Sequence, residues 1–276
     1  MATYKEVIKK YSSQLRDITH IPQKEVEILL LSILKQNVIW LHLNMNEQCT
    51  CEEKLASLVQ KRATQYPIEY ITNKASFYGE IFVVQEGVLI PRPETEILVE
   101  NAEYILKTFD SPKIVEIGTG SGIISVMLAL LIDDIQIIAV DINEKALDLA
   151  KQNAIKHGVE EKITFIKSDI LTSIDEDIKF DMIISNPPYI ANDFKLGKNV
   201  MYEPSNALFG GVKGDELLEK IIDVTYERKV QYLLCEMGYD QKKPLEKYMQ
   251  KLPIKSLEFY QDYEKFDRGF TLELKL

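Results

Sequence analysis

Apolar positions in the first 66 residues recur at helical spacing. Tyr4, Val7, Ile8, Tyr11 and Leu15 trace one stripe, and Val26, Leu29, Leu30 and Ile33 trace another after Pro22. A third opens at Thr50, with Glu53 three residues on in the spacing of a capping box, and runs through Leu55, Leu58 and Val59. No cluster of reactive side chains accompanies these stripes, so residues 1–66 read as a small helical domain for packing or partner contact. Residues 67–92 change character. Phe77 to Val84 has strand composition broken by Gly79, which predicts a hairpin linker. Ile90-Pro91-Arg92-Pro93 forms a stiff joint and sets the next boundary.

Residues 93–276 alternate in period. A helix is predicted from Glu94 to Leu106, then strand-like runs at Ile114–Ile117, Ile135–Val140, Ile163–Ile166, Met182–Ile184 and Tyr232–Leu234. Helical segments separate them at Ile123–Leu131, at Glu144–Lys156 with Gly158 as C-cap, and from Asp215 onward. Alternating strands and helices predict an α/β fold, a parallel sheet covered on both faces. Ser256–Phe259 and Phe270–Leu274 have no helix between them and should pair antiparallel at one edge.

Composition narrows the class. The 276 residues are 46% hydrophobic and 28% charged, with a formal net charge of −10. That balance is globular and disfavours a bulk nucleic-acid binder, which needs a basic face. Cys49, Cys51 and Cys235 form neither a disulfide framework nor a zinc spacing, and His20, His42 and His157 are scattered, so no metal is expected. The polar start M-A-T-Y-K-E-V has no signal-peptide pattern, and no apolar run could span a bilayer. A reduced, cytoplasmic, monomeric protein is expected.

Four polar features share one topological address, the carboxyl end of a predicted strand, where open α/β sheets bind ligands. The first is Val115-Glu116-Ile117-Gly118-Thr119-Gly120-Ser121-Gly122, followed by a helix. Its glycines permit a sharp turn and close approach of a ligand. A dinucleotide fingerprint would require glycine at 123, where Ile stands; G-x-G-x-G after an acid is similar instead to the loop that binds S-adenosylmethionine. The second is Asp141, placed to accept from ribose hydroxyls, and the third is Asp169 with Ile170. Each alone is also compatible with a tight turn or a helix cap. The fourth is Ser185-Asn186-Pro187-Pro188-Tyr189. The prolines cannot extend a sheet ladder. The tetrapeptide either ends a strand or clamps a planar amine.

The order of glycine loop, acid, acid and N-P-P-Y resembles class I methyltransferases that modify planar nitrogens. I-P-R-P-E-T-E at Ile90–Glu96, Y-E-P-S-N-A-L at Tyr202–Leu208, L-L-C-E-M-G at Leu233–Gly238 and the pair Asp262-Tyr263 extend the likeness over nearly the whole chain. Together they resemble the glutamine-N5 methyltransferases of peptide-chain release factors. That resemblance implies a seven-stranded, Rossmann-like methyltransferase sheet with a helical N-terminal domain and a hairpin linker. It implies S-adenosylmethionine as cofactor and S-adenosylhomocysteine as product. The implied substrate is the glutamine of a release factor's Gly-Gly-Gln loop, with no membrane and no direct nucleic-acid contact.

Carried over residue by residue, Gly118, Thr119, Gly120, Ser121 and Gly122 would cradle the cofactor's methionine end, Asp141 its ribose, and Asp169 and Ile170 its adenine. Asn186, Pro187, Pro188 and Tyr189 would hold the glutamine amide, with Asn186 also bordering the cofactor. The Asn186 side-chain oxygen and the Pro187 carbonyl would accept the two amide hydrogens, and Tyr189 would supply an apolar wall. Glu116 would orient the cofactor's amino end or cap the turn, and Arg92 and Glu96 would close over the site or form a joint. The rival readings are a glutamine methyltransferase of a ribosomal protein and an adenine-N6 nucleic-acid enzyme. Two segments depart from the family pattern. Tyr226–Val230 replaces a Pro-Gly-Gly turn, and the stretch between Ile190 and Tyr202 is short.

Overall fold

The central strands are buried residue after residue, Ile114–Ile117 and Met182–Ser185 among them, so the sheet carries a core on each face. The computed structural model describes residues 1–275, so Leu276 of the expected third segment lies outside them. The chain divides into residues 1–74 with 197–202, and residues 75–196 with 203–275.

The first unit holds α1 (Tyr4–Ser12), α2 (Pro22–Leu34), α3 (Val38–Leu43), α4 (Glu52–Ala63) and α5 (Ile68–Thr72). The predicted stripes are its core: Val7, Leu15, Val26, Leu29, Leu30, Leu55 and Val59 are fully buried. The short helices α3 and α5 lack a long periodic signal and were not legible in the pattern. Because Tyr70 is buried and Ile68 and Ile71 pack on this core, the unit continues past the expected limit at 66. The capping box is also elsewhere than expected. Thr3 and Glu6 form one at the start of α1, the Thr3 hydroxyl accepting from the Glu6 amide at 3.3 Å and the Glu6 carboxylate from the Thr3 amide at 2.8 Å. At α4 the N-cap position falls on Cys51 rather than Thr50, and no side chain caps it. Arg62 grips Glu25 through two nitrogens, at 2.6 and 3.0 Å, and so ties α4 to α2.

The hairpin is β1 (Lys74–Phe77) and β2 (Glu80–Val83). Its turn residues Tyr78 and Gly79 both have positive φ, 53° and 79°, the geometry of a tight two-residue hairpin. Then come α6 (Thr95–Leu106), β3 (Lys113–Ile117), α7 (Ile123–Leu131), β4 (Gln136–Asp141), α8 (Glu144–His157), β5 (Ile163–Lys167) and β6 (Met182–Ser185). The chain continues through β7 (Ile190–Ala191), β8 (Phe209–Gly211), α9 (Glu216–Glu227), β9 (Tyr232–Glu236), α10 (Lys242–Met249), β10 (Ile254–Gln261) and β11 (Asp267–Leu274). The seven-stranded sheet has the order β10-β11-β9-β6-β3-β4-β5. β5, β4, β3, β6 and β9 are mutually parallel, and β11 runs antiparallel to both β9 and β10. The predicted antiparallel pair therefore stands at one side, with β11 inserted between β9 and the edge strand.

Ile114, Met182, Ile184 and Leu234 face one core with α6, α7 and α8. Val115, Ile183, Leu233 and Cys235 face the other with α9 and α10. α7 is apolar all round, and Ile123 through Ala129 are all buried, as such a helix requires. The chain reverses sheet direction at β3, leaving a crevice at the carboxyl ends of β3, β4 and β6. The Tyr226–Val230 departure costs the fold little. Lys229 takes the left-handed φ of 53° that a glycine would otherwise supply, and the Arg228 guanidinium donates to the carbonyls of Ile174, Asp175 and Ile178.

Candidate active site

β3 delivers its backbone into the glycine loop, and three residues there have φ that side chains resist: Gly118 at 73°, Gly120 at 56° and Gly122 at 81°. The Gly118 and Thr119 amides both donate to the Val140 carbonyl, at 2.8 and 3.0 Å, fastening the loop to β4. A side chain at Gly122 would meet Ala150 Cβ at 2.8 Å, so this glycine lets α7 approach α8. At Gly118 and Gly120 a Cβ would meet nothing within 4 Å, so there the backbone faces open space.

Glu116 is buried beneath the loop. Its Oε2 accepts from the Thr119 hydroxyl at 2.8 Å, the Ser125 amide at 3.1 Å and the Ser125 hydroxyl. All three donors fall on one carboxylate oxygen. Burial pushes the carboxyl up to about 7, against the lowering effect of those donors. A carboxyl raised in this way holds its proton more tightly folded than unfolded. Its stability contribution is present in full below pH 4.5 and is lost as pH rises towards about 7. Glu116→Gln removes that titration. The stability advantage of wild type over the variant should therefore shrink from pH 4.5 to 7 and level off above, read by urea denaturation at stepped pH. A difference constant across the range would show that Glu116 is not perturbed.

Asp141 ends β4 beside the loop. One carboxylate oxygen accepts from the Gly120 amide and the other from the Asn143 amide, both at 2.9 Å. Burial raises its pKa, and those backbone donors oppose the rise. Asn143 caps α8 and also donates to the Gly87 carbonyl at 3.2 Å, which ties the segment after the hairpin to this strand end. Asp169 is exposed, and Ile170 adopts φ 53°, an uncommon choice for a β-branched residue.

One cleft is lined by the loop from Glu116 to Ser121, Asp141, Asp169, Ile170, Asn186 and Pro188, together with Val88–Arg92 and Thr95. Gly122 sits behind it against α8, and Pro187 and Tyr189 are not among its walls. The ring of Tyr189 packs instead on the core of the α9 face, and its hydroxyl donates to Glu236 at 3.0 Å. The apolar wall expected of Tyr189 is therefore drawn inward, because a buried phenol needs an acceptor and Glu236 provides one. Arg92 is among the cleft-lining residues, and its guanidinium is paired at 2.5 Å to Glu203, which also accepts from the Ile90 amide at 3.0 Å. Glu96 turns away and accepts from the Tyr78 amide at 2.7 Å, so it serves the hairpin joint.

Several residues of this region carried no signal of their own in the sequence. Asn153 is fully buried; it bonds β2 both ways at Val83 and donates to the Ser121 carbonyl at 2.8 Å. Gly210 and Gly214 let backbone approach Pro188 and Tyr189 so closely that a Cβ at either would stand 2.4 Å from their carbonyl oxygens. Thr95 is buried and donates to Glu236 at 2.7 Å while accepting from the Asn186 side chain at 3.0 Å. The legible sign for Glu236 was its position: an acid after three apolar residues at a strand's carboxyl end, the address shared by the other site residues.

Residues 93–210 match the Methyltransferase small domain, and residues 6–72 match the PrmC N-terminal domain. The N-terminal domain of human METTL16 in complex with SAH superposes with a TM-score of 0.52 at 14% identity, covering 80% of this chain and 94% of that one, and shares the methyltransferase fold. A release factor glutamine methyltransferase of Fusobacterium nucleatum is 35% identical over 90% of this chain and 72% of its own length. The enzyme of the same name from Buchnera aphidicola is 34% identical over 96% of both chains. On that identity across nearly the full length of both sequences, the chain belongs to the release factor glutamine methyltransferase family.

Proposed function

We propose that this protein moves the methyl group of S-adenosylmethionine to the side-chain nitrogen, N5, of the glutamine in a release factor's Gly-Gly-Gln loop, and so acts on translation termination. The observation that carries the reading is the shared cleft: Asn186 lines the same cavity as the glycine loop and Asp141, in a chain of this family. The site fits the cofactor. Open space above Gly118 and Gly120 admits a ligand to the backbone. Gly118 to Gly122 would hold the methionine end, with Glu116 Oε1 left for its amino group. Asp141 would hold the ribose, and Asp169 and Ile170 the adenine. When bound, the cofactor supplies an electrophilic methyl group.

What the chain's own residues do is orient a poor nucleophile. The amide lone pair is delocalised, so alignment and fixed dipoles must assist it; as the N–C bond forms the C–S bond breaks and the thioether leaves, and the cationic nitrogen then gives one proton to solvent, so no nearby base is needed. The Asn186 oxygen and the Pro187 carbonyl would each accept one amide hydrogen and face the nitrogen towards the methyl donor. Asn186 would border both substrate and cofactor. Pro188 would wall the amide, and Tyr189 would brace the tetrapeptide from behind. The enzyme would work as a monomer in the cytoplasm, where its partner is found.

Mass spectrometry of a release factor co-expressed with the protein should show one added methyl on that glutamine. Methyl found on a ribosomal protein or on nucleic acid, with the release factor unmodified, would reject the reading. Asp141→Ala should weaken cofactor affinity by about tenfold or more, as expected for loss of charge-assisted bonds to ribose hydroxyls. Calorimetry showing unchanged affinity would remove the ribose assignment.

A further inference from the structure

The polarity of the Asn186 side chain decides whether it can accept from a substrate amide, and an isolated asparagine can turn either end outward. We infer that Thr95, held by Glu236, is a positioning residue that locks the Asn186 oxygen towards the cleft. The inference rests on the clamp reading of Asn186 and extends it to Thr95 on the cleft wall and Glu236 behind it.

The argument is a count of hydrogens. Glu236 is buried at the end of β9, and each of its oxygens receives one hydroxyl, Thr95 on one at 2.7 Å and Tyr189 on the other at 3.0 Å. A carboxylate only accepts, so the single hydroxyl hydrogen of Thr95 is committed to it. The Thr95 oxygen is left with acceptor capacity alone. It faces Asn186 at 3.0 Å and takes a hydrogen from the side-chain Nδ2. With its nitrogen satisfied there, Asn186 presents its oxygen to the cleft. The reversed amide would set oxygen against oxygen at Thr95 and point donors at a substrate that also donates. Both ends of the tetrapeptide are tied to the one acid, Asn186 through Thr95 and Tyr189 directly.

Burial raises the Glu236 pKa, and the hydroxyls of Thr95 and Tyr189 pull it back. Glu94 adds repulsion and Arg268 attraction for the anion. Burial outweighs them and the net displacement is upward; what sets the polarity is the geometry, with one hydroxyl directed at each oxygen of the acid.

Thr95→Val keeps the shape and removes the hydroxyl; Thr95→Ser keeps the hydroxyl. With the intact protein and purified release factor, Thr95→Val should lower kcat about tenfold, the loss of one orienting hydrogen bond. The KM for release factor and the affinity for S-adenosylhomocysteine should stay within about twofold, and Thr95→Ser should recover most of the turnover. Asn186→Ala, measured alongside, separates the two ideas. Wild-type turnover in Thr95→Val beside a defective Asn186→Ala would overturn the lock and leave the clamp standing. Wild-type turnover in both would overturn the lock together with the clamp. Equal losses in Thr95→Val and Thr95→Ser, with weakened cofactor affinity, would show a packing role and also refute the inference.

Discussion

Replacing Asn186 by alanine should reduce turnover by about 10²-fold or more while leaving cofactor affinity close to wild type. The variant removes an acceptor aimed at a nitrogen that gains positive charge only as the methyl group arrives. An interaction of that kind acts on the transition state more than on the ground state, so the loss falls on kcat. The fold should tolerate the change. Asn186 follows β6 at the cleft, it is partly exposed, and its side chain bonds Thr95. The glycine loop and Asp141 make their own bonds to β4 and to each other, none of them through Asn186. Steady-state kinetics with release factor, paired with calorimetry for S-adenosylhomocysteine, would check both halves. Unaltered kcat would remove Asn186 from the chemistry, and a collapse of cofactor affinity would move it to cofactor binding.

Gly122→Ala should destabilise the second unit by about 2–4 kcal/mol, the sum of overpacking and a left-handed backbone forced on a side chain. The new methyl would stand 2.8 Å from Ala150 Cβ and 2.9 Å from its Cα. Ala150 is fully buried, and its Cα is backbone of α8, so relief requires the helix to move. The φ of 81° adds a penalty that no repacking removes. Because Gly122 caps α7 and closes the loop by donating to the Thr119 carbonyl at 2.8 Å, the displacement should also weaken cofactor binding. Gly118→Ala provides the contrast, since its Cβ would meet nothing within 4 Å and only the backbone cost of about 1 kcal/mol remains. Denaturation curves for the two variants should differ clearly. Equal midpoints would show that α7 and α8 do not need the close approach.

How much of this was written in the sequence follows from the range of each interaction. Local periodicity was sufficient for the long helices and the parallel strands, because a stripe at 3.6 residues or an apolar run declares which face is buried. Short helices such as α3 and α5, and the two-residue strand β7, hold too few positions for any period to appear. The Thr50–Glu53 capping pattern was a local signal that the fold did not use, since α4 starts one residue later with Cys51 as its N-cap.

The sequence by itself determined the alternation of strands and helices, and so the α/β class and the strand-end address of the glycine loop, Asp141, Asp169 and Asn186, since those depend on neighbours along the chain. Tertiary structure alone decided that Tyr189 turns inward, that Arg92 is held by Glu203, and that Thr95 and Glu236 stand behind Asn186. Those pairings join positions 91 to 141 residues apart where Asn186 meets Thr95 and Thr95 meets Glu236. Hydrogen-bond partners so remote along the chain leave no periodic trace; they exist only once β6, β9 and the start of α6 have been brought together by the burial of their apolar neighbours.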